Sequence, residues 1–417
     1  MYTAYTRTEQ KELSFHGEQL LRGRHRVHPY PAMLHPLLVN FLIDTYAEKE
    51  DVVFDPFCGS GVTLLQSGIN GHESIGFDIN PLALLIARAK TQTYREGKLL
   101  KEFEDLKKTV YQNASPLFND DDKIDVPKIK NRDYWYSKSV TDDLGRIRFV
   151  LKNNPYKYKD FFMANFAFIC RDQSLTRKGE FKRYRLNKEK IAKAKNEVFT
   201  RFFSHIQEMI EVFLNSDIPR KKSRPILANS ENKIPAKMKY DLVITSPPYG
   251  DSRTTVAYGQ YSSFGAEWTN DLNDHAISGY SIDRECLGKE SQLSDDLSDY
   301  NILTEVVEKI KSVDSKRANE VMYFFNGYYK SIRNMIENLN KKGRVCFVVG
   351  NRTVKGFQIP MDQITASFLD NIGLNFEDIF IRDILNKVMP SKNSPSNKTG
   401  MKSRTMSHEY IVVFSKG

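Results

Sequence analysis

Hydrophobic residues recur along the chain in short runs that alternate between helical and strand-like spacing. Residues 36–46 carry apolar positions at helical spacing, and residues 51–54 form a short apolar run that enters a glycine-rich turn. Residues 62–68 are helical in pattern, and residues 72–77 form a second apolar run with Asp78 at its carboxyl end. Strands that alternate with helices in this way predict a doubly wound, mostly parallel α/β sheet.

The pattern changes over residues 95–224, which are highly charged and aromatic. They contain helical segments, notably 159–170 and 187–214. We interpret this stretch as a large, mainly helical insertion, since 417 residues exceed what one small core requires. The sheet domain then comprises residues 1–94 and 225–417.

The remaining elements of the sheet domain follow the insertion. Helices or strands are predicted at 225–228, 240–245, 318–339, 344–349, 361–372, 375–383 and 409–414. Residues 250–300 are rich in Ser, Gly, Asp and Tyr with little apolar periodicity, which predicts a long mobile loop. Residues 387–404 are polar and basic, and suit either a loop that flanks a target or a disordered connector.

Two features predict a nucleoside site at the edge of the sheet. Residues 55–61, DPFCGSG, form a glycine turn between a strand and a helix, where backbone can approach a ligand closely. Asp78 follows about 20 residues later at the end of the next strand, where dinucleotide-binding folds place an acid on ribose hydroxyls. Taken separately, the turn also suits a tight βα connection and Asp78 a helix N-cap; together they favour a nucleoside cofactor.

Four residues close the strand 240–245: Ser246, Pro247, Pro248 and Tyr249. Two successive prolines hold an extended, rigid backbone at the carboxyl edge of the sheet. The Ser246 hydroxyl and the Pro247 carbonyl can accept both hydrogens of an exocyclic amine, and so draw its lone pair out of the ring. Tyr249 offers a face on which a base extruded from a duplex can stack, a role for the ring rather than its hydroxyl. The alternative is an ordinary strand-ending turn.

Basic residues outnumber acidic ones, 62 Lys and Arg against 52 Asp and Glu, which favours a polyanionic partner. They are densest at 171–195, where ten Lys or Arg and three acids are interleaved with Phe181 and Tyr184. This density suits contacts with phosphates, although a solvated helix face is the alternative. The candidate DNA-binding residues are Arg177, Lys178, Lys182, Arg183 and Arg185.

The four cysteines are far apart and show no paired metal-ligand spacing, so neither a metal site nor a disulfide framework is expected. The first residues show no apolar signal segment, and no run approaches the length of a membrane span. We therefore expect a cytoplasmic, nucleoid-associated protein of a bacterium or archaeon, without membrane contact.

The motifs in this order resemble the S-adenosylmethionine (SAM)-dependent amino methyltransferases of DNA. The matching segments are 54–61 for the first motif, 76–81 for the second and 246–249 for the fourth. A large insert between the cofactor motifs and the catalytic motif resembles the alpha order of that family, in which the insert reads the recognition sequence. The resemblance implies SAM as cofactor and double-stranded DNA as partner, and is compatible with a cognate restriction endonuclease acting on the same site.

The resemblance also implies a set of cofactor-binding residues: Tyr30, Pro31, Asp55, Phe57, Cys58, Gly59, Gly61, Asp78, Ile79, Ser230 and Thr245. By the family pattern, Phe57, Gly59 and Gly61 line the methionine part of SAM. Asp78 holds the ribose, and Ile79 packs against the adenine.

Two further segments match the family pattern more loosely. Residues 28–33, HPYPAM, resemble the motif that closes over the methionine end of the cofactor. Residues 228–230, ANS, occupy the position of the adenine-side motif, in which the family often has an acid that this sequence lacks.

The fourth motif bears on the target base. Its Ser-Pro-Pro-Tyr form is typical of enzymes that act on cytosine N4, whereas adenine N6 enzymes usually have Asp or Asn at the position of Ser246. Cytosine C5 chemistry needs a cysteine that follows a proline, and none of the four does. We therefore favour cytosine N4, with adenine N6, an RNA amino methyltransferase and an inactive SAM-fold DNA-binding module as alternatives.

Overall fold

The computed structural model describes residues 4–115, 123–249, 258–272, 282–285, 287, 295–384, 392–393, 403–404 and 406–417. The α-helices, α1 to α14, are Pro36–Tyr46, Val62–Ile69, Pro81–Thr91, Glu96–Ala114, Arg132–Trp135, Lys138–Asn153, Lys159–Asp172, Lys188–Ala192, Val198–Leu214, Tyr258–Thr269, Ile282–Glu285, Asn301–Lys311, Ser315–Asn338 and Met361–Asn371. The strands, β1 to β12, are Thr8–Glu9, Val53–Asp55, Ser74–Asp78, Ser223–Leu227, Tyr240–Thr245, Leu339–Val349, Arg352–Val354, Phe357–Ile359, Asn375–Asp383, Lys392–Asn393, Ser403–Arg404 and His408–Ser415. Two 3-10 helices span Lys11–Ser14 and Gly23–Val27.

Eight strands form one sheet in the order β4-β3-β2-β5-β6-β12-β9-β1. From β4 to β6 all neighbours pair in parallel, and β12 runs antiparallel between β6 and β9. The chain moves from β2 to one side for β3 and β4, and returns to the other side for β5. The carboxyl ends of β2 and β5 therefore flank the topological switch point. The predicted doubly wound, mostly parallel sheet is confirmed.

The central strands are buried on both faces because alternate side chains enter different cores. On β5, Leu242 and Ile244 belong to a core that includes α1, whereas Val243 belongs to the core formed with α12, α13 and α14. A third core joins the helices between α4 and α10, and Leu82 and Ile86 of α3 belong to it. The helices that follow α3 therefore share apolar contacts with the helix layer of the sheet.

The helix predicted over residues 187–214 is two helices in the structure. α8 ends at Ala192 and none of its residues is buried, whereas α9 begins at Val198 and buries an apolar face. The charged residues keep a helical spacing between the two helices, which is why the sequence predicted one continuous helix. Residues 193–197 are exposed, so they bury no apolar face that would stabilise a helix there.

The predicted loop over residues 250–300 is wrong for α10, which is a buried helix. A Cβ placed on Gly265 would lie 3.0 Å from the Cβ of Ala167 on α7, so the two backbones approach closely. Ser262, Ser263 and Gly265 allow this contact because they are small. The same small residues give no apolar stripe of helical period, which is why the sequence pattern did not reveal the helix. Residues 250–257, 273–281, 286 and 288–294 lie outside the described residues, as does most of 387–404.

The guanidinium group of Arg148, on α6, fixes the end of α10. Its Nε donates to the carbonyl of Trp268 at 3.0 Å and its Nη2 to the carbonyl of Asn270 at 2.7 Å. Its Nη1 pairs with Asp125, which also lies 3.2 Å from Nζ of Lys152. The Arg148 side chain is 1% exposed. A buried charge thus satisfies carbonyl groups that the helix end leaves without partners.

The cysteines Cys58, Cys170 and Cys346 are buried free thiols. Burial raises the pKa of each thiol, so all three are protonated at neutral pH. Over the described ranges, His, Cys, Asp and Glu side chains form no group of three or more that could hold a metal ion. No helix in that part of the chain is long and apolar enough to cross a membrane.

Replacing Arg148 with Met should lower the free energy of unfolding by about 3–5 kcal/mol, since it removes one partner of a buried ion pair. Lys152→Met is the matched control, because Lys152 meets the same Asp125 from a more exposed position. Its loss should be about 1 kcal/mol or less. Urea unfolding followed by circular dichroism measures both, and equal losses would contradict the role given to Arg148.

Candidate active site

A cavity of about 900 Å³, open mouth included, lies at the carboxyl ends of β2, β3 and β5. It therefore occupies the topological switch point, where open α/β sheets bind ligands. The fold brings several separate segments into its wall. Its lining residues are 30–34, 55–60, 62–63, 78–80, 228–230, Ser246, Pro248, Tyr258, Ile282, Glu285 and Leu287.

The two glycines of the turn after β2 serve different purposes. Gly59 lines the cavity with φ +48°, and a Cβ there would stand 3.5 Å from the Tyr30 ring. Gly61 precedes α2 with φ +76°, and a Cβ there would come within 2.7 Å of the Ala87 Cβ. Gly61 therefore lets α2 and α3 pack closely behind the wall, and it does not itself line the cavity.

Asp78 lies inside the turn that ends β3. Its Oδ2 accepts from the backbone N–H of Gly59 at 2.9 Å, and its Oδ1 from that of Asn80 at 2.7 Å. The cap of α3 is Asn80, whose Oδ1 accepts from the N–H of Leu82 at 3.1 Å, so Asp78 is not the helix cap. Burial raises the pKa of the Asp78 carboxyl to about 6, against the lowering effect of these N–H donors.

A second carboxylate joins the two strands at the switch point. Oγ1 of Thr245 at the end of β5 donates to Oδ1 of Asp55 at the end of β2, at 2.7 Å. The backbone N–H of Phe57 donates to the same oxygen at 3.1 Å. Burial raises the pKa of Asp55 to about 6. Thr245 is fully buried behind the wall, so it holds Asp55 rather than lining the cavity.

One wall of the cavity is aromatic. Nδ2 of Asn80 donates to the hydroxyl of Tyr30 at 2.9 Å and to Oγ of Ser262 on α10 at 2.8 Å. The Tyr30 ring stacks on Tyr258, with centroids 6.1 Å apart and an interplanar angle of 28°. Asn80 therefore ties α3, the 28–33 segment and the start of α10 together around the cavity.

The segment after β5 places its residues unequally. Ser246 and Pro248 line the cavity, whereas Pro247 is buried. The Tyr249 hydroxyl is 3.0 Å from Oγ of Ser246 and donates to Oε1 of Glu409 at 3.1 Å. The ring of Tyr249 packs beside Gly350, where a Cβ would come within 2.8 Å of it. The sequence interpretation had assigned no role to this hydroxyl.

Most of the predicted cofactor residues meet in this wall, namely Tyr30, Pro31, Asp55, Phe57, Cys58, Gly59, Asp78, Ile79 and Ser230. Gly61 and Thr245 lie behind it. Ser230 donates its hydroxyl to the carbonyl of Pro56, which joins the segment after β4 to the glycine turn. Sequence reasoning missed Asn80, which adjoins Asp78. It also missed Tyr258 on α10, Ile282 and Glu285 on α11, and Leu287 after α11, which carry no motif.

The predicted basic segment forms a hairpin-like loop between α7 and α8. The N–H of Arg177 donates to the carbonyl of Tyr184, and the N–H of Leu186 to that of Leu175, each at 2.8 Å. Gly179, with φ +83°, turns the chain at its end. The segment is helical at the end of α7 and in α8, and not between them, so the alternative of a single solvated helix face does not describe its basic residues.

The five predicted DNA-binding residues differ in their surroundings. Arg183 lies 4.9 Å from the centroid of the Phe264 ring, Arg185 lies 4.0 Å from that of Tyr134, and both are half-buried. Lys178 is exposed and pairs with Asp172 at 2.8 Å. Arg177 and Lys182 are exposed on the hairpin. Contact of these residues with DNA stays a prediction.

Comparison with known proteins gives three findings. The chain is 34% identical to the Type II methyltransferase M.MvaI of Kocuria varians, over 99% of this chain and 93% of that protein. It is 22% identical to the Type II methyltransferase M.BsoBI of Geobacillus stearothermophilus, over 91% of this chain and 83% of that protein. The solved structure of TrmN from Thermus thermophilus matches at 10% identity and a TM-score of 0.32, over 92% of this chain and 49% of that chain.

The sheet order, the cavity at its switch point and the carboxylate at the end of β3 define a SAM-dependent methyltransferase. The chain belongs to the DNA methylase family of amino methyltransferases, whose family model matches residues 4–89 and 240–417. The predicted family and cofactor are thereby confirmed. The cavity fits SAM, because it offers a buried carboxylate, aromatic side chains and a turn in which Gly59 leaves room for close approach to the backbone.

SAM affinity should fall as the pH drops through about 6, because burial places the pKa of Asp78 there and protonation removes a hydrogen-bond acceptor. Between pH 7.5 and 5.0 the Kd should rise about tenfold. Calorimetry on wild type and Asp78→Asn measures this, and Asp78→Asn should bind weakly with a shallower pH dependence, the remainder arising from Asp55.

The stability of the ligand-free protein should change in the opposite direction. A raised carboxyl pKa means that the folded state binds the proton more tightly than the unfolded chain, so this group stabilises the fold increasingly as pH falls from about 6 towards 4. The melting-temperature difference between wild type and Asp78→Asn isolates this effect. A Kd of the wild-type protein for SAM that did not change across this pH range would show that Asp78 does not contact the cofactor.

Proposed function

We propose that this protein transfers the methyl group of SAM to the N4 amine of a cytosine extruded from double-stranded DNA, at a specific sequence, as the modification enzyme of a restriction-modification system. The observation that carries the proposal is the position of Ser246, whose side chain lies at the wall of the cavity that fits SAM. A hydroxyl beside the cofactor can meet an amine that enters from the open side.

SAM supplies a methyl group activated by its sulfonium centre. The chain's own work is to position the amine, whose lone pair is otherwise delocalised into the base. Ser246 Oγ and the Pro247 carbonyl accept the two amine hydrogens, which turns the lone pair towards the cavity. The Tyr249 ring gives the extruded base a stacking surface. On the cofactor side, Asp78 would accept from the ribose hydroxyls and Ile79 would contact the adenine.

Cytosine is favoured over adenine because a serine precedes the two prolines. The adenine N6 enzymes that the chain resembles usually have Asp or Asn at this position. The likeness to a Type II methyltransferase over 99% of the chain supports a site-specific modification enzyme and double-stranded DNA as its substrate. A cognate endonuclease is the partner expected in such a system.

The hairpin at residues 175–186 is the proposed DNA-contacting surface. The exposed side chains of Phe181, Lys182 and Tyr184 lie on it. The Phe181 ring lies 6.0 Å from that of Tyr261 on α10, and the hydroxyl of Tyr261 donates to the carbonyl of Pro29 at 2.7 Å. The hairpin is therefore linked through α10 to the wall of the cavity. DNA held by the hairpin would lie close to the site of methylation.

DNA from cells that express the protein should contain N4-methylcytosine at one recurring sequence. The matched control is Ser246→Ala, which removes one acceptor for the amine hydrogens and should lower the methylated fraction. Nucleoside mass spectrometry identifies the modified base, and sequencing with detection of modified bases locates it.

Each alternative predicts a distinct result. N6-methyladenine in place of N4-methylcytosine would overturn the choice of base while leaving the class intact. Methyl groups from labelled SAM on tRNA and none on duplex DNA would show an RNA enzyme. Binding of DNA without binding of SAM would show an inactive module.

Charge reversal of the two exposed hairpin residues, Arg177→Glu with Lys182→Glu, should weaken DNA binding. The slope of log affinity against log salt should become shallower by about the contribution of two phosphate contacts. SAM affinity should not change, because neither residue lines the cavity. The control Lys49→Glu with Lys341→Glu makes the same charge change at two other exposed residues. Lys49 precedes β2 and Lys341 lies near the start of β6, so both are at the amino ends of the strands, opposite the cavity. Fluorescence anisotropy over a salt series measures the slopes, and equal slopes for the two double variants would exclude the hairpin.

A further inference from the structure

A chain of hydrogen bonds leads away from Ser246 into the far side of the sheet. Ser246 Oγ and the Tyr249 hydroxyl are 3.0 Å apart, and the Tyr249 hydroxyl donates to Glu409 Oε1 at 3.1 Å. The other carboxylate oxygen of Glu409 accepts from Nε and Nη2 of Arg382 at 3.0 and 2.8 Å. Nη1 of Arg382 donates to the carbonyl of Leu13 at 2.9 Å.

The two charged members of this chain are held in place by the sheet. Glu409 on β12 is the register partner of Arg382 on β9, so their backbones fix the geometry of the pair. Their side chains are 15% and 9% exposed, which limits competition from water. A two-donor contact from a guanidinium group to one carboxylate oxygen leaves the other oxygen free to face Tyr249.

The charges set the direction of the hydrogen bonds. A carboxylate can only accept hydrogen bonds, so the Tyr249 hydroxyl donates its hydrogen bond to Glu409. The Tyr249 hydroxyl can then only accept a further hydrogen bond, so the Ser246 hydroxyl must donate one to it. The lone pairs of Ser246 Oγ are consequently the part of the hydroxyl that remains for a substrate. Without this constraint the serine hydroxyl would rotate and present either a donor or an acceptor.

We infer that Arg382 and Glu409 are positioning residues which, through the Tyr249 hydroxyl, hold Ser246 as a hydrogen-bond acceptor for the target amine. The inference rests on the proposed function, since it requires Ser246 to meet the amine. An amine hydrogen needs an acceptor, and a serine that pointed its proton at the amine would repel it. Tyr249 thereby acts through its hydroxyl as well as through its ring.

The variant Glu409→Gln tests the direction of the chain. Arg382 requires an acceptor, so the amide oxygen of the glutamine should face Arg382 and the amide NH₂ should face Tyr249. The Tyr249 hydroxyl then accepts from the amide and donates to Ser246, which reverses the chain. The single-turnover methylation rate should fall about tenfold, the value of one net hydrogen bond. SAM and DNA affinities should stay as in wild type.

The variant Tyr249→Phe breaks the same chain without touching the ion pair. It keeps the aromatic face and removes the hydroxyl, so its rate should fall by a similar factor, about tenfold. The matched control is Glu377→Gln, which breaks the pair of Glu377, at the other end of β9, with Arg344 on β6, 3.1 Å apart. That control should methylate at the wild-type rate.

A double-mutant cycle separates positioning from general support of the structure. If Glu409 acts only through Ser246, adding Glu409→Gln to Ser246→Ala should cause no further loss of rate. Losses that add in the double variant, or wild-type rates for both Glu409→Gln and Tyr249→Phe, would overturn the inference. Should Glu409→Gln lower the melting temperature or SAM affinity, Tyr249→Phe with Ser246→Ala completes the same cycle.

Failure of the proposed function gives a different pattern. If Ser246→Ala alone methylated at the wild-type rate, Ser246 would not be the acceptor, whatever the other variants did. A slow Ser246→Ala with a fast Glu409→Gln and a fast Tyr249→Phe would keep the site and reject only the role of the chain.

Discussion

The hydrogen bond between Thr245 and Asp55 is the contact on which the site depends. It joins the carboxyl ends of β2 and β5, neighbouring parallel strands at the switch point, just beyond the last residues that their backbones pair. Because the glycine turn follows β2 and the Ser-Pro-Pro-Tyr segment follows β5, this contact helps the backbone pairing to set the distance between the cofactor wall and Ser246. An error of about 1 Å in such a distance is enough to slow a positioned reaction severely.

The helical insertion is joined to this site by α10. Arg148 holds the end of the helix, and Tyr258 at its start lines the cavity. Between them, Asn80 reaches Ser262, and Phe181 of the hairpin approaches Tyr261. A single buried helix therefore contacts the cofactor wall and the proposed DNA surface together.

Local patterns in the sequence were enough to predict the sheet, the glycine turn, Asp78 and the segment 246–249. Each of these depends on residues that are close in sequence, such as an apolar run with a turn after it. The structure added contacts between distant residues. Glu409 and Arg382 lie in ordinary strands and meet Tyr249 only because β9 and β12 complete the sheet. Likewise, the aromatic rings beside Arg183 and Arg185 belong to distant residues, Phe264 and Tyr134. The half-burial of the two arginines could therefore not be predicted from their sequence neighbours.

The buried acids at the cavity also bear on the charge of the cofactor. Asp55 and Asp78 both have pKa values raised to about 6 by burial, so ionising them costs the folded protein free energy. Bound SAM brings a sulfonium cation into the same cavity, and an opposite charge nearby favours the ionised carboxylates. Binding and ionisation are then mutually coupled, so each strengthens the other. A cationic cofactor in this cavity would offset the cost of ionising the two acids, and its neutral thioether product would not.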